Sequence, residues 1–64
     1  MKGTVTEFDV AAGLGVVTAN DGDEFRFHCV EIADGTRTIA VGADVEFALL
    51  AKVGMYEAAC LTKR

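Results

Sequence analysis

The 64-residue sequence predicts an all-β fold: a small five-stranded antiparallel barrel formed by one domain that spans residues 1–64. Short runs rich in β-branched and aromatic residues favour strands. Seven glycines and no proline are spread along the chain, which is typical of strands joined by tight turns. With 52% hydrophobic and 25% charged residues, the composition is that of a chain that folds.

The first half of the chain predicts three consecutive strands. Residues 2–9 mix Thr, Val and Phe, and residues 14–19 form a second β-branched run. The sequence Asn-Asp-Gly at positions 20–22 is a hairpin-turn signal. The second strand is therefore expected to pair with a third strand over residues 23–28.

The third strand alternates strictly between aromatic and polar side chains. Phe25 and Phe27 are expected to point into the core, because successive side chains of a strand point to opposite faces. Arg26 and His28 are then expected to share the solvent-facing side. After this strand, residues 29–34 are long enough only for one helical turn before a turn at Asp34-Gly35.

The second half of the chain predicts two further strands. Residues 43–51 form the fourth, with Val45, Phe47 and Leu49 alternating with polar or small residues. Residues 55–62 are expected to form the fifth, with a short helix as the alternative because Met, Glu, Ala and Leu favour helices. Five strands with a break after the third predict a Greek-key barrel of the OB type, and an SH3-like barrel is the alternative architecture.

Charge and motif content exclude several classes of function. The net charge of −4 and pI of about 4.6 argue against strong, sequence-independent attraction to phosphate. One histidine and no serine, without an activated thiol, argue against an enzyme, and no cofactor or metal site is indicated. Cys29 and Cys60 are widely spaced, so both are expected to be reduced, buried thiols, with one disulfide or an oxidation-sensitive Cys29 as the alternatives. The N-terminus lacks a signal-peptide pattern, so a cytoplasmic location is expected.

Short motifs occur in a characteristic order along the whole chain. In chain order they are Gly3-Thr4-Val5, Phe8-Asp9, residues 13–18 (GLGVVT), residues 25–28 (FRFH), Ile32, residues 34–39 (DGTRTI), Gly42, Val45, Phe47, Gly54 and Ala58-Ala59. This ordered set resembles the cold-shock domain family over all 64 residues, without a large insertion.

The resemblance implies a barrel that binds single-stranded RNA or DNA across its first three strands, using aromatic rings as stacking platforms. Several of the family's ligand-contacting positions differ here. The residues that stand where the family has a ring or a basic group are Thr6, Glu7, Ala12, Leu14, Val16, Arg26, Cys29 and Thr36. A weakened binding face is therefore expected.

The resemblance and the alternation of side chains together select six candidate residues for nucleic-acid binding. They are Phe8, Leu14, Val16, Arg26, His28 and Arg37. The guanidinium plane of Arg26 can stack on a base and contact phosphate at the same time. The alternatives are core packing for Phe8, an ion pair with Glu7 for Arg26, and a surface role for His28.

A second hypothesis needs no nucleic acid. Leu14, Val16 and Cys29 replace rings of the family with smaller apolar groups. Such a face can serve as a contact patch for a homodimer or another protein partner. The two hypotheses are therefore a weak single-strand binder and a protein-interaction module that has lost that binding.

Overall fold

The computed structural model describes residues 1–33, Gly35 and residues 37–64. Its elements are β1 (Lys2–Asp9), β2 (Leu14–Ala19), β3 (Glu24–His28), a 3₁₀ helix (Cys29–Glu31), β4 (Asp44–Lys52) and β5 (Met55–Lys63). The five strands and the helical turn are confirmed, and the last segment is a strand. Asp34 of the predicted turn and Thr36 lie outside the described residues. Among the described residues, none forms a helix that could span a membrane.

The strands form a closed barrel in the order β1-β2-β3-β5-β4, with β4 paired back to β1. Four of the pairings are antiparallel, but β3 and β5 pair in parallel, at Arg26 and Glu57. The predicted antiparallel five-stranded barrel is confirmed, with this junction as its one parallel pairing among the described residues. Each antiparallel step reverses the chain direction, so β1, β3 and β5 run the same way and the closure between β3 and β5 has to be parallel. The architecture is the OB-type Greek-key barrel.

The barrel interior is filled by side chains from all five strands. The largest fully buried side chains are Phe27, Leu61, Val5, Val17 and Val45. Phe27 is thus in the core as predicted, whereas Phe25 is only half-buried and packs its ring on Phe47 at a centroid distance of 5.9 Å. Phe25 is the second residue of β3, close to the end of the barrel, where solvent reaches one side of the ring.

The C-terminal half of β4 and the start of β5 extend beyond the barrel. β4 pairs with β1 over Asp44–Glu46 and through backbone hydrogen bonds between Met1 and Phe47, whereas its pairing with β5 continues to Lys52 and Met55. Residues 48–57 therefore form a two-stranded extension, called here the β4–β5 hairpin. Leu49 is 40% exposed on this hairpin, so the buried face formed by Val45 and Phe47 does not extend to the third residue of the alternation.

A bulge in β5 turns one of the two thiols to solvent. Cys60 and Leu61 together lie opposite the single residue Phe47 of β4, and Cys60 has a φ of 54°. Both cysteines are free, but Cys60 is exposed and Cys29 is half-buried. The prediction of two buried thiols was therefore wrong for Cys60, because the bulge reverses the direction of its side chain.

Candidate nucleic-acid interface

A bulge in β1 decides which of its side chains face outward. Val5 is fully buried, and the register with β2 shifts by one residue between Val5 and Glu7. After the shift, Glu7 is opposite Val16 and Phe8 is opposite Gly15. Glu7 therefore faces solvent, and Phe8 turns toward the inner side of the sheet.

Two rows of side chains cross the outer face of the first three strands. The first row runs Glu7, Val16, Arg26 and Glu57 from β1 to β5, and the second runs Asp9, Leu14 and His28 from β1 to β3. In both rows β1 supplies a carboxylate, β2 an aliphatic side chain and β3 a side chain of the basic class, Arg26 or His28. Arg26 and His28 are both exposed and lie two residues apart on this face, as the alternation predicted.

Between these rows, the rings of Phe8 and Phe27 stack on each other on the inner side of the sheet. The rings of Phe8 and Phe27 are nearly parallel, with an interplanar angle of 8° and a centroid distance of 6.0 Å. Phe27 is fully buried, while Phe8 remains half-exposed on top of it. Phe8 therefore packs against the core with one face and keeps part of its ring accessible.

Gly15 makes room for this stack. A Cβ atom at Gly15 would lie 2.4 Å from Cζ of Phe27 and 2.9 Å from the carbonyl oxygen of Glu7. Real Cβ contacts are never that short, so any side chain here would displace the ring or the β1 backbone. Glycine is required at this position by close approach.

The outer rows and the ring pair line one concavity of about 750 Å³, called here the β1–β3 groove. Its lining residues are Glu7, Phe8, Asp9, Leu14, Gly15, Val16, Arg26, Phe27, His28 and Glu57. Five of the six candidate residues are among them. The sixth, Arg37, is exposed with a φ of 60° in the loop before β4 and does not line the groove.

Carboxylates outnumber fixed positive charges in the groove. Glu7, Asp9 and Glu57 face a single guanidinium, that of Arg26. Oδ1 of Asp9 accepts a hydrogen bond from the backbone N–H of Ala12 at 3.2 Å and so helps to hold the β1–β2 turn. Within the part of the chain that the structure describes, Arg26 makes no ion pair, so the alternative pairing with Glu7 is not formed.

Two acidic members of the groove were missed by sequence reasoning. In the sequence, Asp9 marks the end of the first strand and belongs to the Phe8-Asp9 motif, and Glu57 enters the groove through the parallel pairing of β5 with β3. Alternation within a strand gives no information about a partner 31 positions away in the chain. Among the described residues, no group of three His, Cys, Asp or Glu side chains is placed to hold a metal ion.

A closed five-stranded barrel with an open groove across the outer face of its first three strands defines a small OB-type domain. The family model of the 'Cold-shock' DNA-binding domain matches residues 1–64, and the chain therefore belongs to the cold-shock domain family. A comparison with curated proteins finds no significant match. The domain is thus of the nucleic-acid-binding, cold-shock type, which is not a known family of enzymes.

Proposed function

We propose that this domain binds single-stranded RNA or DNA weakly through the β1–β3 groove. The observation that carries the proposal is that five candidate residues, separated by up to 20 positions in sequence, line one groove. These residues are Phe8, Leu14, Val16, Arg26 and His28. Family membership supports the class of ligand, and the groove supports the location.

The chemistry of the groove suits unpaired bases better than a duplex backbone. The guanidinium of Arg26 is exposed and has no ion-pair partner among the described side chains, so it is available to stack on a base. Leu14 and Val16 offer apolar contact to the flat faces of adjacent bases. The accessible part of the Phe8 ring adds a second stacking surface, and the imidazole of His28 can donate or accept a hydrogen bond.

The same features predict low affinity. Two stacking groups at about 1–3 kcal/mol each give roughly 2–6 kcal/mol before the cost of ordering the strand. The carboxylates of Glu7 and Asp9 repel phosphate, and the net charge of −4 gives no long-range attraction. A dissociation constant of tens of micromolar at the tightest, and in the millimolar range otherwise, is expected.

The proposal is tested by removing one positively charged side chain inside the groove and, separately, one outside it. Arg26→Ala removes both the stacking plane and the charge, and is expected to weaken oligonucleotide binding about tenfold or more. Lys2→Ala removes one exposed charge from β1 outside the groove, and is expected to have a much smaller effect. Fluorescence anisotropy of a labelled single-stranded oligonucleotide at low salt measures both variants.

Two results would contradict the proposal. One is the absence of saturable binding by the unaltered domain up to millimolar concentration. The other is equal weakening by Arg26→Ala and Lys2→Ala, which would indicate a non-specific charge effect. Arg37 lies outside the groove, and its contribution stays a prediction that Arg37→Ala measures in the same assay.

A second candidate function is a protein-interaction or homodimer surface. It is favoured by one observation, the 44% exposure of Leu14 beside the half-buried Val16 on the groove. Cys29 contributes less than expected to this surface, because it packs partly against the core. Sedimentation at high concentration tests the candidate: a monomer in which Leu14→Asp changes nothing would count against it.

A further inference from the structure

The β4–β5 hairpin carries an aromatic side chain that the proposed function does not use. The structure describes all five aromatic residues of the chain. Four of them are buried or half-buried, and only Tyr56 is mostly exposed, at 58%. Its cross-strand partner in β4 is Ala51, whose methyl group is too small to cover the ring. Within the described part of the chain, the Tyr56 hydroxyl has no hydrogen-bond partner and the ring has no aromatic neighbour.

The position of Tyr56 relative to the β1–β3 groove follows from the parallel closure of the barrel. Arg26 of β3 pairs with Glu57, so Tyr56 precedes the point where β5 joins the face. A second depression of about 310 Å³ lies on this side. Its lining residues are Glu7, Val16, Glu24, Phe25, Arg26, Met55 and Tyr56.

The groove and the second depression share three residues, namely Glu7, Val16 and Arg26. Arg26 thus has Leu14 and His28 on one side and Tyr56 with Met55 on the other. A chain of unpaired bases that crosses the outer face can pass from one depression to the next over the guanidinium. An exposed ring next to an unpaired guanidinium is the combination that sequence-tolerant single-strand binders use.

We propose that Tyr56 is a base-stacking residue, and that the single-stranded ligand runs from the β1–β3 groove across Arg26 onto the β4–β5 hairpin. The inference rests on the proposed function and extends it to a site on β5. It supplies an aromatic platform in a domain that has Glu7, Leu14 and Arg26 in places where the resemblance implies rings. The net charge of residues 48–57 is zero, because Lys52 balances Glu57, so the hairpin is less repulsive to phosphate than the domain as a whole.

The first test compares two substitutions of the ring. Tyr56→Ala removes the stacking surface and is expected to weaken binding of a labelled single-stranded oligonucleotide about tenfold. Tyr56→Phe keeps the ring and is expected to bind within about twofold of the unaltered domain, since stacking needs no hydroxyl. Equal affinities for the alanine variant and the unaltered domain would overturn the inference while leaving the proposed function intact.

The second test is spectroscopic and uses the absence of tryptophan from the chain. In Tyr56→Trp the new indole is the sole tryptophan, and its fluorescence is expected to be quenched saturably when a base stacks on it. Val53→Trp is the matched control, because Val53 is fully exposed on the same hairpin and lines neither depression. Saturable quenching of equal size in both variants, or in neither, would contradict stacking at Tyr56.

The remaining outcomes separate this inference from the proposed function. If the unaltered domain binds no oligonucleotide, both fail together. If Tyr56→Ala leaves oligonucleotide affinity unchanged but converts a sedimenting dimer to a monomer, the ring belongs to a protein contact. The nucleic-acid inference is then overturned, although binding in the β1–β3 groove still holds.

Discussion

Gly15 is the residue on which the shape of the β1–β3 groove depends most directly. It has no unusual φ, so its requirement comes entirely from the ring of Phe27 and the carbonyl of Glu7 above it. Gly15→Ala is expected to lower the free energy of unfolding by about 1–3 kcal/mol, because a methyl group at 2.4 Å from Cζ forces the stacked rings apart.

Urea unfolding monitored by circular dichroism measures this effect. Val16→Ala is the neighbouring control, because Val16 faces outward and is only partly buried, and a loss of less than about 1 kcal/mol is expected there. A Gly15→Ala variant as stable as the unaltered domain would mean that the Phe8–Phe27 stack is not tightly held.

Sequence reasoning was partly successful at the scale of single residues. Alternation correctly assigned Arg26 and His28 to solvent and Phe27 to the core, because β3 is regular over its whole length. The same reasoning did not give the position of Phe8. The β1 bulge inserts one residue before Glu7. An extra residue in a strand reverses the face to which every later side chain points, and the sequence pattern does not reveal the insertion.

The bulge in β5 places Cys60 in a backbone conformation that is unfavourable for a residue with a side chain. Cys60 holds a left-handed φ of 54°, which costs a non-glycine residue about 1 kcal/mol. Cys60→Gly is therefore expected to raise the free energy of unfolding by about 0.5–1 kcal/mol. Cys60→Val is expected to lower it by about 1–2 kcal/mol, because a β-branched side chain fits this conformation poorly.

Thermal and urea unfolding under reducing conditions measure the stabilities of the glycine and valine variants of Cys60. Cys60→Ala is the control that separates loss of the thiol from the change in backbone preference. Oε1 of Glu31 accepts a hydrogen bond from the Cys60 backbone N–H at 3.3 Å, and this contact is available to all three variants. If the valine variant were the most stable of the three, the assigned bulge would be incorrect.

The β4–β5 hairpin shows where element prediction reaches its limit. The strands at 43–51 and 55–62 were found from composition and alternation to within one residue at each end. The sequence pattern does not show how many residues of β4 pair with β1. Because that pairing ends at the hydrogen bonds between Met1 and Phe47, the apolar side chains of Leu49 and Leu50 are exposed rather than buried.

At the scale of the whole molecule, the barrel brings together groups that are far apart in sequence. The strand order was accessible through the family resemblance, since the ordered motifs cover all 64 residues. The acidic character of the groove was not accessible, because Glu57 reaches it only through the parallel closure between β3 and β5. This closure also connects the groove to the hairpin, so that the outer face extends over four strands.

The outer face of the first three strands is the proposed nucleic-acid-binding surface of this cold-shock domain. A backbone NMR titration of the isotope-labelled domain with a single-stranded oligonucleotide at low salt can locate that surface residue by residue. Saturable shift changes are expected to concentrate at residues 7–9, 14–16 and 26–28. Shift changes centred on residues 44–47, on the opposite side of β1 from β2 and β3, or none up to millimolar oligonucleotide, would contradict this proposal.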